Sequence, residues 1–489
     1  MMEQQLLAVQ EELREGHAGK ALALLQRLRE LPGGRPNWRL LELIAEGCKQ
    51  LGDAEGAAAA LYQAAQEDEY LRSQREHYSG YLFALHYLPG LSPEELARAH
   101  FAYGELCRGE GLAEARKAAG SGQGAAGKKR LRVGYLAPSF CESAVLRFAE
   151  PLLGLDPELF EVRAYALDAA EDETSRRLGQ RVKLVSLAGL STEEAAERIG
   201  RETLDILVDL GGHSGGGRTL FLLPYRLAPV QLAGIGYFDT WGLPPGWVQG
   251  LLADDSLVRP GEEGRFTEDL WQLPQALAFQ PTEELRQARE QARAGREAGE
   301  GGEGISFGVF QNFLKITEAA LSAWGEILRA VPGSRLLLQD TLPLSERAGA
   351  IRQRAASAGL PLERVEIRMG QRDFLREYGR LDLVLDTFPY PGGYMTALAL
   401  YLGVPVVTLA GDRYGSRLGE SLLRAARRRE WVGTSVEAYV EKAVKLAGSA
   451  RRLRREQRRL YEDLPHSALL DTDSYVRSVE ESFIGMRCR

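Results

Sequence analysis

Apolar and polar positions alternate along this chain in two different rhythms, and the change from one to the other divides it. Residues 1 to about 68 are rich in Ala, Leu and Glu and read as amphipathic helices. Within them Gly16-His17-Ala18-Gly19-Lys20-Ala21 returns as Gly52-Asp53-Ala54-Glu55-Gly56-Ala57, an offset of 36 residues. That period is close to helix-turn-helix repeats of the tetratricopeptide (TPR) type, whose small residues let paired helices approach. More helix follows to about Arg116, with Ser92-Pro93-Glu94-Glu95 as one start: serine caps and proline takes the first helical position.

The run 118–129 (AAGSGQGAAGKK) is small and flexible and reads as a linker. Beyond it short apolar runs alternate with helical stretches. Residues 131–136, 161–167, 205–210 and 230–236 have the continuous apolar character of buried parallel strands. An Arg/Glu/Gly-rich segment at 283–304 reads as a second linker, or a helix fraying into a glycine tract. The alternation then resumes at 305–310, 335–339, 364–368, 381–386 and 404–409. The expected organisation is therefore an all-α TPR-like module (1–117), a linker (118–129), a Rossmann-like lobe (130–282), a hinge (283–304) and a second Rossmann-like lobe (305–489). In such α/β folds ligands bind in a cleft at the carboxyl ends of the strands.

Composition narrows the function classes. With 489 residues, 44% hydrophobic and 26% charged, the chain is a multi-domain globular protein rather than a disordered one. A net charge of −7 gives no global basic field for nucleic acid or an anionic membrane. Its arginine clusters, Arg424 to Arg429 and Arg451 to Arg459, read as solvated helix faces paired with neighbouring Glu. Four scattered cysteines form no CxxC pair, which excludes a zinc knuckle and fits a reducing compartment. The polar start, Met1-Met2-Glu3-Gln4-Gln5, is unlike a signal peptide, and no run approaches the ~20 apolar residues of a membrane span. A cytoplasmic protein is expected.

The sequence has no GxxxxGK[ST], no GxGxxG after either lobe's first strand, no GxSxG and no HExxH. This argues against P-loop, dinucleotide, α/β-hydrolase and zincin chemistry. Of six histidines only His213 lies between the first linker and residue 460, so an imidazole general base would be that one. It sits in Gly211-Gly212-His213-Ser214-Gly215-Gly216-Gly217-Arg218, after a predicted strand, where glycines permit close backbone approach and Arg218 could reach an anion. A second stretch, Gln311-Asn312-Phe313-Leu314-Lys315, follows another predicted strand and precedes a helix beginning near Thr317. A lysine there could neutralise a diphosphate leaving group. In the third, Asp386-Thr387-Phe388-Pro389-Tyr390-Pro391-Gly392-Gly393-Tyr394-Met395-Thr396, a strand runs through a Pro/Gly turn into a helix. Free amides at a helix start bind phosphate, although a tight turn alone would also use the glycines.

These stretches, with Leu131-Arg132-Val133-Gly134-Tyr135, Ala228-Pro229-Val230-Gln231, Gly236-Tyr237 and Val331-Pro332-Gly333-Ser334-Arg335, resemble the SPINDLY and O-GlcNAc transferase family, glycosyltransferase family 41, in its bacterial form. The likeness runs from about Tyr81 to the C-terminus. It implies a GT-B fold, two Rossmann-like lobes with an interdomain cleft, and inverting, metal-independent transfer of a sugar from a nucleotide donor to protein Ser/Thr. A UDP sugar is the implied co-substrate, with no other cofactor and no metal, Asp254-Asp255 included. The repeats would present a protein acceptor, flagellin or another surface protein, with a partner glycosyltransferase or a second copy as a further partner.

By the same resemblance Lys315 would hold the diphosphate, and Gln311 and Asn312 would line the nucleotide pocket. The turn Gly392, Gly393, Tyr394, Met395 and Thr396 would cap the phosphates. His213, with Lys315, would be catalytic, and His213, Ser214, Arg218 and Tyr237 would face sugar or acceptor. The chain departs from the family pattern at Ser143, where a histidine is usual, at Tyr394 and Met395, in place of threonines, and at Leu398, in place of an aspartate. Two readings follow: an active protein O-glycosyltransferase, and a catalytically degenerate homologue that serves an active enzyme as partner or acceptor-binding subunit.

Overall fold

A computed structural model describes residues 2–29, 37–108, 130–299, 303–370 and 374–487; the linker expected at 118–129 lies outside them. The chain forms two compact units, Met1–Leu91 with Pro281–Ser467, and Ser92–Gln280 with Ala468–Arg489.

The first unit opens with the helices Met2–Arg14, Ala18–Arg29, Trp38–Leu51, Ala54–Glu67 and Leu71–Leu85. The echo in the sequence is an echo in geometry: Gly16 and Gly52 each turn one helix into the next in the left-handed region, both at φ 82°. Asn37 and Asp53 cap their helices through side-chain oxygens. Small residues let the helices meet closely; the Gly80 backbone lies against Leu61, with an added Cβ only 3.3 Å from its side chain.

The same unit holds a six-stranded parallel sheet in the order β10-β9-β8-β11-β12-β13. Its strands are β8 (Ser306–Phe310), β9 (Arg335–Gln339), β10 (Val365–Arg368), β11 (Leu383–Leu385), β12 (Val406–Leu409) and β13 (Val432–Gly433). All of β8 and β11 is buried, which explains their unbroken apolar sequence. The expected linker at 283–304 is a helix over Glu283–Ala298, capped by Thr282 and ended by Gly299 at φ 74°. Arg289 on it donates to the carbonyl of Tyr401 and packs over the Tyr461 ring, 4.2 Å from its centroid.

The second unit holds a seven-stranded parallel sheet in the order β3-β2-β1-β4-β5-β6-β7. The strands are β1 (Leu131–Ala137), β2 (Phe160–Ala166), β3 (Lys183–Ser186), β4 (Ile206–Asp209), β5 (Val230–Ala233), β6 (Gly250–Ala253) and β7 (Asp269–Gln272). Helix Pro93–Cys107 starts where the sequence placed it, with Ser92 and Glu95 closing a reciprocal capping box. It groups with this sheet rather than with the preceding repeats. Helix Thr472–Arg487, expected in the second lobe, also groups here. It buries Tyr475, Val479, Phe483 and Met486 along one stripe, and the Tyr475 hydroxyl donates to the Ala276 carbonyl.

Candidate functional site

In the six-stranded sheet the chain leaves β8 at Gln311 and tightens into a 3-10 turn, Phe313–Lys315. Asn312 caps that turn, its Oδ1 accepting from the Leu314 amide at 3.0 Å, while Asp340 accepts the Phe313 amide at 3.1 Å. Thr317 then caps the helix Glu318–Ala330, its side chain accepting from the Ala320 amide. Thus fixed, the part-buried Lys315 places its Nζ 3.0 Å from the carbonyl oxygen of Pro391 and 4.7 Å from the centroid of the Tyr390 ring.

Opposite Lys315 is the turn that follows β11, and Asp386 organises it. This carboxylate has no exposed surface. It accepts the amides of Thr387 (3.0 Å) and Gly392 (2.8 Å) and the hydroxyls of Thr396 (3.0 Å) and Thr408 (2.9 Å). Gln311 lies against it, Nε2 at 3.5 Å. A Cβ on Gly392 would sit 2.1 Å from that Nε2 and 2.7 Å from Thr396 Oγ1, so a larger residue must displace both side chains; one on Gly393 would meet nothing within 4 Å. Gly393 is the N-cap of the helix Tyr394–Tyr401. The amides of a first helical turn have no partner within the helix and carry the positive end of its dipole.

Burial lowers the Lys315 ammonium to about 8, against the opposing pull of Asp386. Burial also raises Asp386, with the Gly392 amide, Thr408, Lys315 and Thr396 working the other way. A poorly hydrated cation beside a glycine turn and a helix start is suited to a phosphate or diphosphate. Gln311, Lys315, Gly392, Gly393 and Thr396 lie close together around Asp386 and Pro391. Tyr394 and Met395 are half-buried in the first helical turn, and Leu398 is wholly buried in the core. Asn312 is also part-buried, with its amide oxygen held by the Leu314 amide and by Arg347.

In the seven-stranded sheet β4 ends at Asp209, which is buried and raised to about 7 by that burial, against its hydrogen bonds. It accepts the amides of Gly211 (2.8 Å) and Gly212 (3.1 Å) and the hydroxyl of Thr219 (3.0 Å). His213 has no exposed surface. It donates from Nε2 to the Trp241 carbonyl at 3.0 Å. Its ring stands edge-on to Tyr103 (4.7 Å) and Tyr237 (5.0 Å). The Leu96 carbonyl, 2.8 Å from His100 Nδ1, keeps the proton there, so the Tyr237 hydroxyl donates to His100 Nε2 at 2.6 Å. Burial lowers His100 to about 4, so it is neutral.

Ser214 braces this loop by donating to the Gly236 carbonyl at 2.8 Å. Arg218 does not join His213 and Tyr237; it is exposed and paired with Asp168 at 2.8 Å. Ser143 is exposed, and its hydroxyl accepts from the Leu146 amide. Asp254 accepts the amides of Ser256, Leu257 and Ala276, which gives that carboxylate a loop to hold.

Asp386 and Asp209 stand inside the glycine-rich stretches, but their organising role is not legible from residue types alone. The available signal was an acid closing an apolar strand just before a glycine turn. His100 carries no local signal, and Tyr390, although inside the quoted turn, gives no sign in the sequence of its place beside Lys315.

The Glycosyl transferase family 41 model matches residues 114–279 and 287–479. The chain is 30% identical over 373 residues, 73% of its length, to the protein named probable UDP-N-acetylglucosamine–peptide N-acetylglucosaminyltransferase SPINDLY of Solanum lycopersicum. It is 27% identical over 377 residues, 74% of its length, to the correspondingly named SEC protein of Arabidopsis thaliana. It spans 39% and 37% of those two relatives. Among solved structures it is similar to a lysine-to-methionine mutant of Thermobaculum terrenum O-GlcNAc transferase, at TM-score 0.82 and 27% identity, covering 98% of this chain and 89% of that one. Two parallel sheets behind a TPR-like helical module are the fold class read from the sequence, of GT-B type.

Proposed function

The chain belongs to glycosyl transferase family 41, and on that premise we propose that it transfers a sugar, of the N-acetylglucosamine class, from a UDP-linked donor to Ser or Thr of a protein. The observation that carries this reading is the Lys315 ammonium held 3.0 Å from the Pro391 carbonyl, beside the glycine turn that Asp386 fixes. In an inverting displacement the acceptor oxygen bonds to the anomeric carbon as the bond to the diphosphate oxygen breaks. The departing diphosphate gains negative charge, and Lys315 with the first-turn amides after Gly393 stabilises it. The hydroxyl proton passes to a base, for which the family resemblance names His213. No metal is needed, because side chain and helix start supply the positive charge.

The relatives' names point to N-acetylglucosamine on UDP and to peptide acceptors. The helical repeats would bind the acceptor, of the flagellin or surface-protein kind, and act in a cytoplasmic setting. Among the described residues no helix is long and apolar enough to cross a membrane. One observation favours the degenerate reading instead: His213 has no exposed surface from which to take a proton. Mass spectrometry of acceptor proteins incubated with UDP-GlcNAc and the purified chain separates the two. Transfer that is lost in Lys315→Met and His213→Ala supports the enzyme. UDP binding without transfer to any acceptor, or hydrolysis of the donor, supports the partner subunit.

A further inference from the structure

Helix Ser345–Ser357 carries two arginines on one face, Arg347 in the interior of the first unit and Arg354, 30% exposed and paired with Glu318, at its margin. Arg347 is 1% exposed. Its Nη1 donates to Asn312 Oδ1 and Asp340 Oδ2, both at 2.9 Å. Its Nε donates to the Gln50 carbonyl at 2.8 Å, and its Nη2 donates to the Lys49 carbonyl. Two turns along, Arg354 repeats the span, donating to the Ile316 carbonyl at 2.6 Å and the Gly52 carbonyl at 3.4 Å. One end of each contact set lies on the turn that carries Lys315. The other lies on the last turn of the repeat helix Trp38–Leu51 and its cap.

We propose that Arg347 is a positioning residue that ties the TPR-like helices to the Lys315 turn, so that occupation of either is felt by the other. The proposal rests on the reading of that turn as the nucleotide site. The last carbonyls of an α-helix lack intrahelical partners and carry the negative end of its dipole, so a buried cation is stabilised there. Four acceptors, two on one helix and two on separate loops, demand a planar fork of donors, which arginine has and lysine lacks. Asn312 is the cap of the turn, so its position sets that of Lys315. Gly52 comes close enough that a Cβ there would stand 3.8 Å from the Phe313 carbonyl. Lys49 to Gly52 is also where two repeat helices reverse, so a protein that shifts those helices moves the guanidinium and with it Asn312.

Hydrogen–deuterium exchange of the full chain with UDP as the probe tests this. In wild type, UDP is expected to slow the amides of 311–316 and, through Arg347, those of 49–53. In Arg347→Met the second response disappears, and UDP affinity falls by about tenfold, within the usual range of coupling between sites. Because Met removes the ion-pair partner of buried Asp340, Arg347→Lys is the companion variant: it keeps the charge but cannot reach both elements. In it UDP should still protect 311–316 while 49–53 no longer respond. An unresponsive 49–53 segment in wild type, or one that responds equally in both variants, overturns the proposal and leaves the nucleotide site standing. Absence of any UDP binding to wild type overturns both.

Discussion

The two sheets use one device for two different ends. In each, the strand beside the sheet's first strand, β4 next to β1 and β11 next to β8, runs into a buried aspartate. Asp209 and Asp386 each accept backbone amides of a following glycine turn and the hydroxyl of a threonine ten residues on, Thr219 and Thr396. What differs is the chain that leaves the first strand. After β8 it delivers Lys315 to the turn; after β1 it runs Pro138-Ser139-Phe140-Cys141-Glu142, with no cation. On the proposed reading the six-stranded sheet thereby offers an anion site, whereas the seven-stranded sheet packs Tyr103 and Tyr237 against His213. The turn is scaffold, and the side chain beside it decides the chemistry.

The largest expected effect removes the device itself. Asp386→Ala strands two amides and two threonine hydroxyls in the interior, at a cost of about 3–5 kcal/mol. Asp209→Ala strands two amides and one hydroxyl, for about 2–3 kcal/mol. Thermal unfolding should rank the two variants in that order. Equal losses would mean that the two turns are held by something else.

Next comes the difference in charge. Lys315→Met should weaken UDP binding by about 10- to 100-fold, the worth of one charge-assisted contact. Calorimetric titration measures it, and an unchanged affinity would remove the distinction drawn between the sheets. Smaller still, Gly392→Ala should destabilise by about 1–3 kcal/mol because its Cβ meets Gln311, whereas Gly393→Ala should stay within about 0.5 kcal/mol. Smallest is Arg218→Ala: an exposed pair with Asp168 contributes at most about 1 kcal/mol to stability, read by the same unfolding assay.

Most strands buried on both faces were legible because parallel packing writes them as unbroken apolar runs: β4, β8 and β12 lie inside the expected segments and β1 runs one residue beyond its own, whereas the wholly buried β6 has only four residues and was not expected. β3 and β7 were not, since each is a four-residue edge strand with exposed positions and a mixed sequence. β13 has only two residues. The grouping of Thr472–Arg487 with the seven-stranded sheet was equally invisible, because it depends on Phe483 meeting Phe160 more than 300 positions earlier. At the site, the lysine and the glycine turn were legible as residue types following strands. The role of Asp386 was not, because its ligands Thr396 and Thr408 converge only after β12 is laid down beside β11. Arg347 left no local trace, being one arginine in an ordinary helix.

The most direct test is the affinity of the chain for UDP between pH 6.5 and 9.5. Burial sets the free Lys315 ammonium at about 8, and on the proposed reading its protonated form holds the diphosphate. Affinity should therefore be level below about pH 7 and fall, by up to about tenfold per pH unit, once the free lysine deprotonates. Lys315→Met should bind weakly and show no such fall. A wild-type profile that stays flat to pH 9.5, or a Lys315→Met profile that matches it, would contradict the account.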